Sequence, residues 1–231
     1  MLADSPNIEL LIRASGMLGP ILDKSLLVGG CAVPLLITDS AAPPSRRTFD
    51  VDLITDDSSY EEFRHTEALL RRLGFKQDME RPGPICRYNC GTLILDILPC
   101  NEEVLGFGIR WYQEAFSRSL VFRLPNGKNI RCASAPSFLA TKLDAFRSRG
   151  AGDLFSSRDF EDIVALIDGR PELADEVALE RMDLKTFIGE HIGAIMGMEH
   201  FLDSLPGMLP AGDATRARLE VILGRFNRIA V

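Results

Sequence analysis

The pattern of apolar and polar positions over the first 134 residues predicts a sheet flanked by helices. Short apolar runs typical of strands alternate with stretches in which apolar residues recur every three or four positions, as on one side of a helix. Strands are predicted at residues 26–28, 50–55, 75–77, 85–90, 92–99, 120–124 and 130–132. Helices are predicted near residues 6–18, 58–73 and 111–116. This order of elements favours an α+β fold with a mixed central sheet.

From residue 135 onwards the pattern is helical. Helices are predicted near residues 135–149, 158–168, 172–181, 183–203 and 211–228. The sequence Ser156-Ser157-Arg158-Asp159 resembles a capping box at the start of the second of these. We therefore expect a core of residues 1–134 and a C-terminal helical region, residues 135–231, that packs on the core and completes its active site.

One stretch of the core combines two features that suit a phosphate ligand. The predicted strand at residues 26–28 ends in Gly29-Gly30, where the missing Cβ atoms would let a ligand approach the backbone. An apolar segment containing Pro34 follows, which predicts a helix with the proline in its first turn. The free N–H groups at the start of such a helix favour an anion.

Three aspartates in the predicted strands suggest a metal site. Asp50 and Asp52 lie two positions apart, so they share one face of a strand and repel each other unless a cation is present. Asp96 stands in a nearly continuous apolar run, as expected for a strand covered on both faces, where a charge needs a partner or a metal. The partner could be Arg87 on the adjoining hairpin arm. We favour shared Mg²⁺, because Asp50 and Asp52 already require a third anionic neighbour.

Composition narrows the class of protein only a little. The net charge of −7 means that the overall field does not attract nucleic acid, so such a substrate would need a local basic patch. Five cysteines without a CxxC spacing are typical of a reduced, cytoplasmic protein and argue against a zinc site. The N-terminus lacks the pattern of a signal peptide, and no apolar run is long enough to span a bilayer, so we expect no membrane association.

These motifs together resemble a known superfamily. The series Gly29-Gly30, Asp50-x-Asp52 and a later strand with Asp96 is similar to the nucleotidyltransferases that share the DNA polymerase β-type palm. Three segments resemble the AbiEii-type nucleotidyltransferases, many of which are toxins of toxin–antitoxin or abortive-infection systems: residues 46–53, 142–149 and 157–163. The resemblance covers residues 25 to 168 and implies a polymerase β-like nucleotidyltransferase fold.

The resemblance also implies roles for individual residues. Asp50, Asp52 and Asp96 would hold Mg²⁺, and these three with Lys142 would be the catalytic residues. The residues that would bind the nucleotide are Gly29, Gly30, Arg47, Thr48, Lys142, Arg149, Asp159 and Asp162. The substrate would be a nucleoside triphosphate, the acceptor a tRNA or a protein side chain, and an antitoxin could be a partner.

Two other functions remain open at this point. A nucleotidyltransferase of the aminoglycoside-modifying kind would use a small-molecule acceptor. A palm-like module could instead bind a nucleotide or a partner without turnover. The presence of all three aspartates argues against a decayed site, and therefore favours an enzyme.

Overall fold

The computed structural model describes residues 5–78, 86–104, 106, 110–150, 153–209 and 215–230. It confirms the α+β class, with a mixed seven-stranded sheet and C-terminal helices. The chain divides into two compact units. The sheet unit comprises residues 1–35 and 47–134, and the helical unit comprises residues 36–46 and 135–231. The spacer between Gly30 and Asp50 thus contributes a loop to the helical unit.

The sheet unit contains seven strands in the order β3-β4-β5-β2-β1-β7-β6. Their bounds are β1 Ser25–Val28, β2 Asp50–Thr55, β3 Lys76–Gln77, β4 Arg87–Cys90, β5 Leu93–Pro99, β6 Leu120–Arg123 and β7 Asn129–Cys132. The pairs β2–β5 and β1–β7 are parallel, and the other pairs are antiparallel. All seven predicted strands are present at the predicted positions along the chain, with differences of one or two residues at their ends.

Among the residues that the structure describes, β5 is fully buried on one face and partly exposed on the other, which corrects the prediction of a strand buried on both faces. Leu95 and Ile97 are buried, whereas Ile94 and Asp96 on the opposite face are partly exposed. Tyr88 pairs with Leu95 and donates a hydrogen bond of 2.6 Å to Glu67. Glu67 belongs to the helix Tyr60–Arg72, so this helix covers the apolar face. The aspartate is therefore on the partly open face, where its charge keeps some contact with water.

Five α-helices of the described chain begin before residue 134. They are α1 Pro6–Leu18, α2 Pro20–Asp23, α3 Val33–Leu36, α4 Tyr60–Arg72 and α5 Tyr112–Ser117. The helix predicted after Gly29-Gly30 is only a 3-10 turn at residues 30–32 followed by four-residue α3. So short a segment has little macrodipole, and an anion at its free N–H groups stays a prediction.

The helical unit is built from six α-helices in its described residues. They are α6 Ala135–Ala145, α7 Arg158–Gly169, α8 Leu173–Ala178, α9 Met182–Met196, α10 Phe201–Ser204 and α11 Thr215–Ile229. A π-helical turn, Phe146–Gly150, extends α6. Ser157 caps α7 by accepting a hydrogen bond from the N–H of Phe160, as the capping pattern predicts. None of the helices that the structure describes is long and apolar enough to cross a bilayer.

The prediction of one helix over residues 183–203 is wrong. The helix ends at Met196, and α10 starts after His200, whose backbone is left-handed with φ of +66°. The interruption lets Phe201 pack edge-on against Phe226 of α11, with ring centroids 5.2 Å apart. Both rings are buried, and Gly197 is the C-cap at which α9 ends.

The loop at residues 36–46 is held by polar contacts inside the helical unit. The N–H groups of Thr38 and Asp39 both donate to the carbonyl of Gly169 at 2.9 Å. Arg218 of α11 donates to Asp39 at 3.1 Å and to Asp168 at 2.6 Å. The loop lies between β1 and β2 in the sequence, but these contacts explain why it belongs to the helical unit.

Candidate active site

The three predicted aspartates lie on one face of the sheet. Asp52 pairs with Asp96 in the parallel register of β2 and β5, so their side chains project to the same side. Asp50 lies two residues before Asp52 and shares that side. Arg87 of β4 pairs with Asp96 in the antiparallel register of β4 and β5, which adds a cation to the same face.

Arg87 bridges two of the three carboxylates. Its Nε donates to Asp96 Oδ1 at 2.7 Å, and its Nη2 donates to Asp96 Oδ2 at 2.6 Å and to Asp50 Oδ2 at 2.9 Å. The ion pair that the sequence offered as the alternative explanation for Asp96 is thus present. The hydrogen bonds to Asp96 raise the pKa of Arg87 although burial acts against them, and the charges of Asp96, Asp50 and Asp52 add to the increase. The guanidinium therefore remains charged.

The Gly29 backbone lies directly against the side chain of Asp52. Its φ of +67° is a conformation that other residues rarely adopt. A Cβ atom at this position would lie 1.9 Å from Asp52 Oδ2 and 2.7 Å from the Cβ of Asp52. Only glycine therefore leaves room for the carboxylate. The register of β1 with β2, in which Val28 is opposite Asp52, produces this approach.

Thr48 orients Asp50. Its hydroxyl donates to Asp50 Oδ1 at 2.8 Å, and its N–H donates to the side chain of Asn7 on α1 at 3.0 Å. Asn7 and Thr48 are both buried. The role of Asn7 was not predicted, although a polar residue inside the apolar stripe of α1 is a recognisable signal. Arg47 is exposed, and its guanidinium lies 5.3 Å from the ring centroid of Phe49, which is also exposed.

The donor atoms at this face suit Mg²⁺, since it prefers carboxylate oxygens and the site already attracts a cation. In the parts of the chain that the structure describes, however, no three histidine, cysteine, aspartate or glutamate side chains are arranged to hold a metal. Arg87 engages both Asp50 and Asp96, so these two carboxylates are paired with a cation in the free protein. Burial, with a smaller contribution from the charge of Asp96, raises the pKa of the neighbouring Cys86 thiol to about 12, so this thiol is protonated in the free protein.

A second cluster of predicted residues lies within the helical unit. Asp162 is fully buried and accepts two hydrogen bonds from Arg46, at 2.8 and 2.9 Å, while Lys142 Nζ lies 2.7 Å from it. Lys142 also donates to Asp159 at 3.0 Å, and Arg149 donates to Asp159 at 3.1 Å. The structure thus brings these four predicted residues together and adds Arg46. Their part in nucleotide binding stays a prediction.

We expect Asp162→Ala to destabilise the protein by about 2–3 kcal/mol, because it leaves the buried Lys142 and the partly buried Arg46 without their shared anion. The loss is smaller than for an isolated buried pair, since Lys142 keeps Asp159 and Arg46 has Glu161 at 3.8 Å. Urea unfolding measures the change. Asp175→Ala is the matched control, because it removes a 2.7 Å pair with Arg228 that is exposed, and it should cost less than about 1 kcal/mol. Equal effects of the two substitutions would contradict the prediction.

Comparison with solved structures shows a distant likeness in fold, whereas the two sequence comparisons find no match. No protein-family model matches the sequence, and no curated protein matches it. Among solved structures, the fold is similar to the crystal structure of a "putative nucleotidyltransferase from H. pylori". The likeness covers 96% of this chain and 92% of that chain, with 14% identity and a TM-score of 0.46. At that level it assigns neither activity nor substrate, and the resemblance to the AbiEii-type enzymes stays a prediction.

Proposed function

We propose that this protein is a nucleotidyltransferase that moves a nucleoside monophosphate from a nucleoside triphosphate to an acceptor hydroxyl, with Mg²⁺ held by Asp50, Asp52 and Asp96. The observation that carries the proposal is that three carboxylates, those of Asp50, Asp52 and Asp96, share one face of the sheet, where the Arg87 side chain pairs with two of them. An ordinary ion pair needs one carboxylate for each arginine. The excess of negative charge at this face is better explained by a site that receives a multivalent cation.

The residues around the aspartates support the proposal because they fix the carboxylates in place. The Thr48 hydroxyl holds one oxygen of Asp50, and the buried Asn7 holds the backbone of Thr48. The Gly29 backbone packs directly against Asp52. Preorganised charges of this kind need no rearrangement during a reaction, and this is the main way in which sites for phosphoryl and nucleotidyl transfer lower a barrier.

In the proposed reaction an oxygen of the acceptor attacks the α-phosphorus of the triphosphate. The bond from that phosphorus to the pyrophosphate oxygen breaks, and pyrophosphate leaves with the bonding electrons. The proton of the acceptor hydroxyl passes to the Asp96 carboxylate. When bound, Mg²⁺ would neutralise charge on the attacking and leaving oxygens. The role of this chain is then to hold the reactants in line and to accept the proton.

The test is transfer of label from each of the four α-³²P-labelled triphosphates in the presence of Mg²⁺, with purified tRNA or with a nucleic-acid-free protein lysate as acceptor. The proposal expects label on one of the two macromolecules with one preferred base. Label on tRNA would identify a tRNA-modifying enzyme, and label on protein an enzyme that modifies side chains. Failure to transfer label under any of these conditions, together with measurable binding of a triphosphate, would replace the proposal with a nucleotide-binding module.

A further inference from the structure

The Arg87 side chain lies at the place where the proposed function requires a metal ion. Its guanidinium contacts Asp96 through two nitrogens and Asp50 through one of them. The Oδ2 atoms of both aspartates contact the same nitrogen, Nη2, so this nitrogen lies between the two carboxylates. A divalent cation shared by these aspartates would need the same place. Arginine and metal cannot both occupy it.

We propose that Arg87 is a built-in counter-cation that keeps the carboxylates together in the free protein and must leave them before a divalent cation binds. The inference rests on the proposed function, since it concerns the metal that the proposed reaction uses. Metal binding to the free protein is then a competition between two cations for one pair of carboxylates. The arginine makes the free protein a weak metal binder, and bound metal releases the Arg87 side chain.

The local structure is consistent with an exchange of this kind. The side chains of Arg87 and Asp50 are each 24% exposed, and that of Asp96 is 13% exposed, so solvent reaches the pair. Charges in such a place can be exchanged without leaving an ion buried in an apolar medium. The helical-unit pair of Lys142 and Asp162 differs in this respect, because Asp162 is fully buried and its partner is 9% exposed. Exchange of a metal for Arg87 therefore costs far less desolvation than it would at Asp162.

The experiment measures binding of Mn²⁺, a spectroscopic substitute for Mg²⁺, to the full chain without nucleotide, by the loss of the free Mn²⁺ signal in electron paramagnetic resonance. Arg87→Met removes the charge and keeps most of the side-chain stem. We expect Arg87→Met to bind Mn²⁺ about tenfold more tightly than wild type. Adding Asp50→Asn to Arg87→Met should abolish the gain. Arg170→Met is the matched control, because Arg170 makes a similar two-nitrogen pair with Glu176, and it should bind as wild type does.

A second measurement needs no variant to remain folded. The side-chain Nε–Hε resonance of Arg87 in ¹⁵N-labelled wild type should shift when Mg²⁺ is added with a non-hydrolysable triphosphate, because its bonds to Asp96 and Asp50 are lost. The inference is overturned if Arg87→Met binds Mn²⁺ no more tightly than wild type, or if the resonance does not move while metal binds. In either case Mn²⁺ binding that is lost in Asp50→Asn would leave the proposed metal site intact. Absence of Mn²⁺ binding in every variant would instead count against the proposed function itself.

Discussion

Asp52→Asn should lower the rate of nucleotidyl transfer by about a thousandfold or more, while the protein stays folded. Asparagine has nearly the same volume as aspartate, so the close contact with Gly29 is kept. What is lost is one of the three negative charges on this face, and with it a ligand that the proposed Mg²⁺ needs. The melting temperature should stay close to that of wild type, because the repulsion relieved between neighbouring carboxylates is offset by the lost attraction to Arg87. Label transfer and a melting curve on the same preparation measure both effects.

The control for this prediction is Asp56→Asn. Asp56 follows directly after β2 and is exposed, so its substitution removes the same charge from the same segment without touching the face of the three aspartates. We expect its transfer rate to remain within about twofold of wild type. A rate for Asp52→Asn within tenfold of wild type, or an equal loss in Asp56→Asn, would show that Asp52 does not act in the way proposed.

Gly29→Ala should be among the most damaging single substitutions in the sheet unit, with a loss of about 4 kcal/mol or more in the free energy of unfolding. Two costs combine. Alanine is strained at a φ of +67°, and its Cβ would lie 1.9 Å from Asp52 Oδ2, so the strand or the carboxylate must shift. The shift moves Asp52 away from Asp96, and we therefore expect transfer to be lost even under conditions in which the variant remains folded.

Gly19→Ala separates the two costs. Gly19 has a similar φ of +51°, but an added Cβ there would meet no atom within 4 Å. Its loss of stability should therefore be only the conformational cost, about 1–3 kcal/mol, with transfer unchanged. Urea unfolding of both variants gives the difference, which is the cost of the contact with Asp52. A difference near zero would mean that the close approach of Gly29 to Asp52 does not constrain the site.

Much of the fold could be predicted from the sequence because the signals are local. The strand Asp50–Thr55 has the predicted bounds. The alternation of apolar and polar side chains can be read within the strand itself, without knowing which strands lie beside it. The start of α7 at Arg158 follows from a serine that caps its own helix. The sequence explains Gly29 by the approach of a ligand to the backbone, which stays a prediction, and the structure adds a different reason, the room needed by the carboxylate of Asp52.

The break between α9 and α10 has a local signal in Gly197, the C-cap of α9, which the prediction of one long helix overlooks, whereas the contact of Phe201 with Phe226 joins helices distant in sequence. The pairing of Arg46 with Asp162 was also not predicted, because 116 positions separate the two residues. Sequence spacing alone contains no information about such long-range contacts.

The sequence by itself determined that three aspartates lie on strands and that two of them share a face, because the two-residue period of a strand is a property of the backbone. Only the tertiary structure decided that the third aspartate joins them and that an arginine lies between two of the carboxylates. Both facts depend on the register of β2, β4 and β5, which side-chain packing sets across segments far apart in the chain.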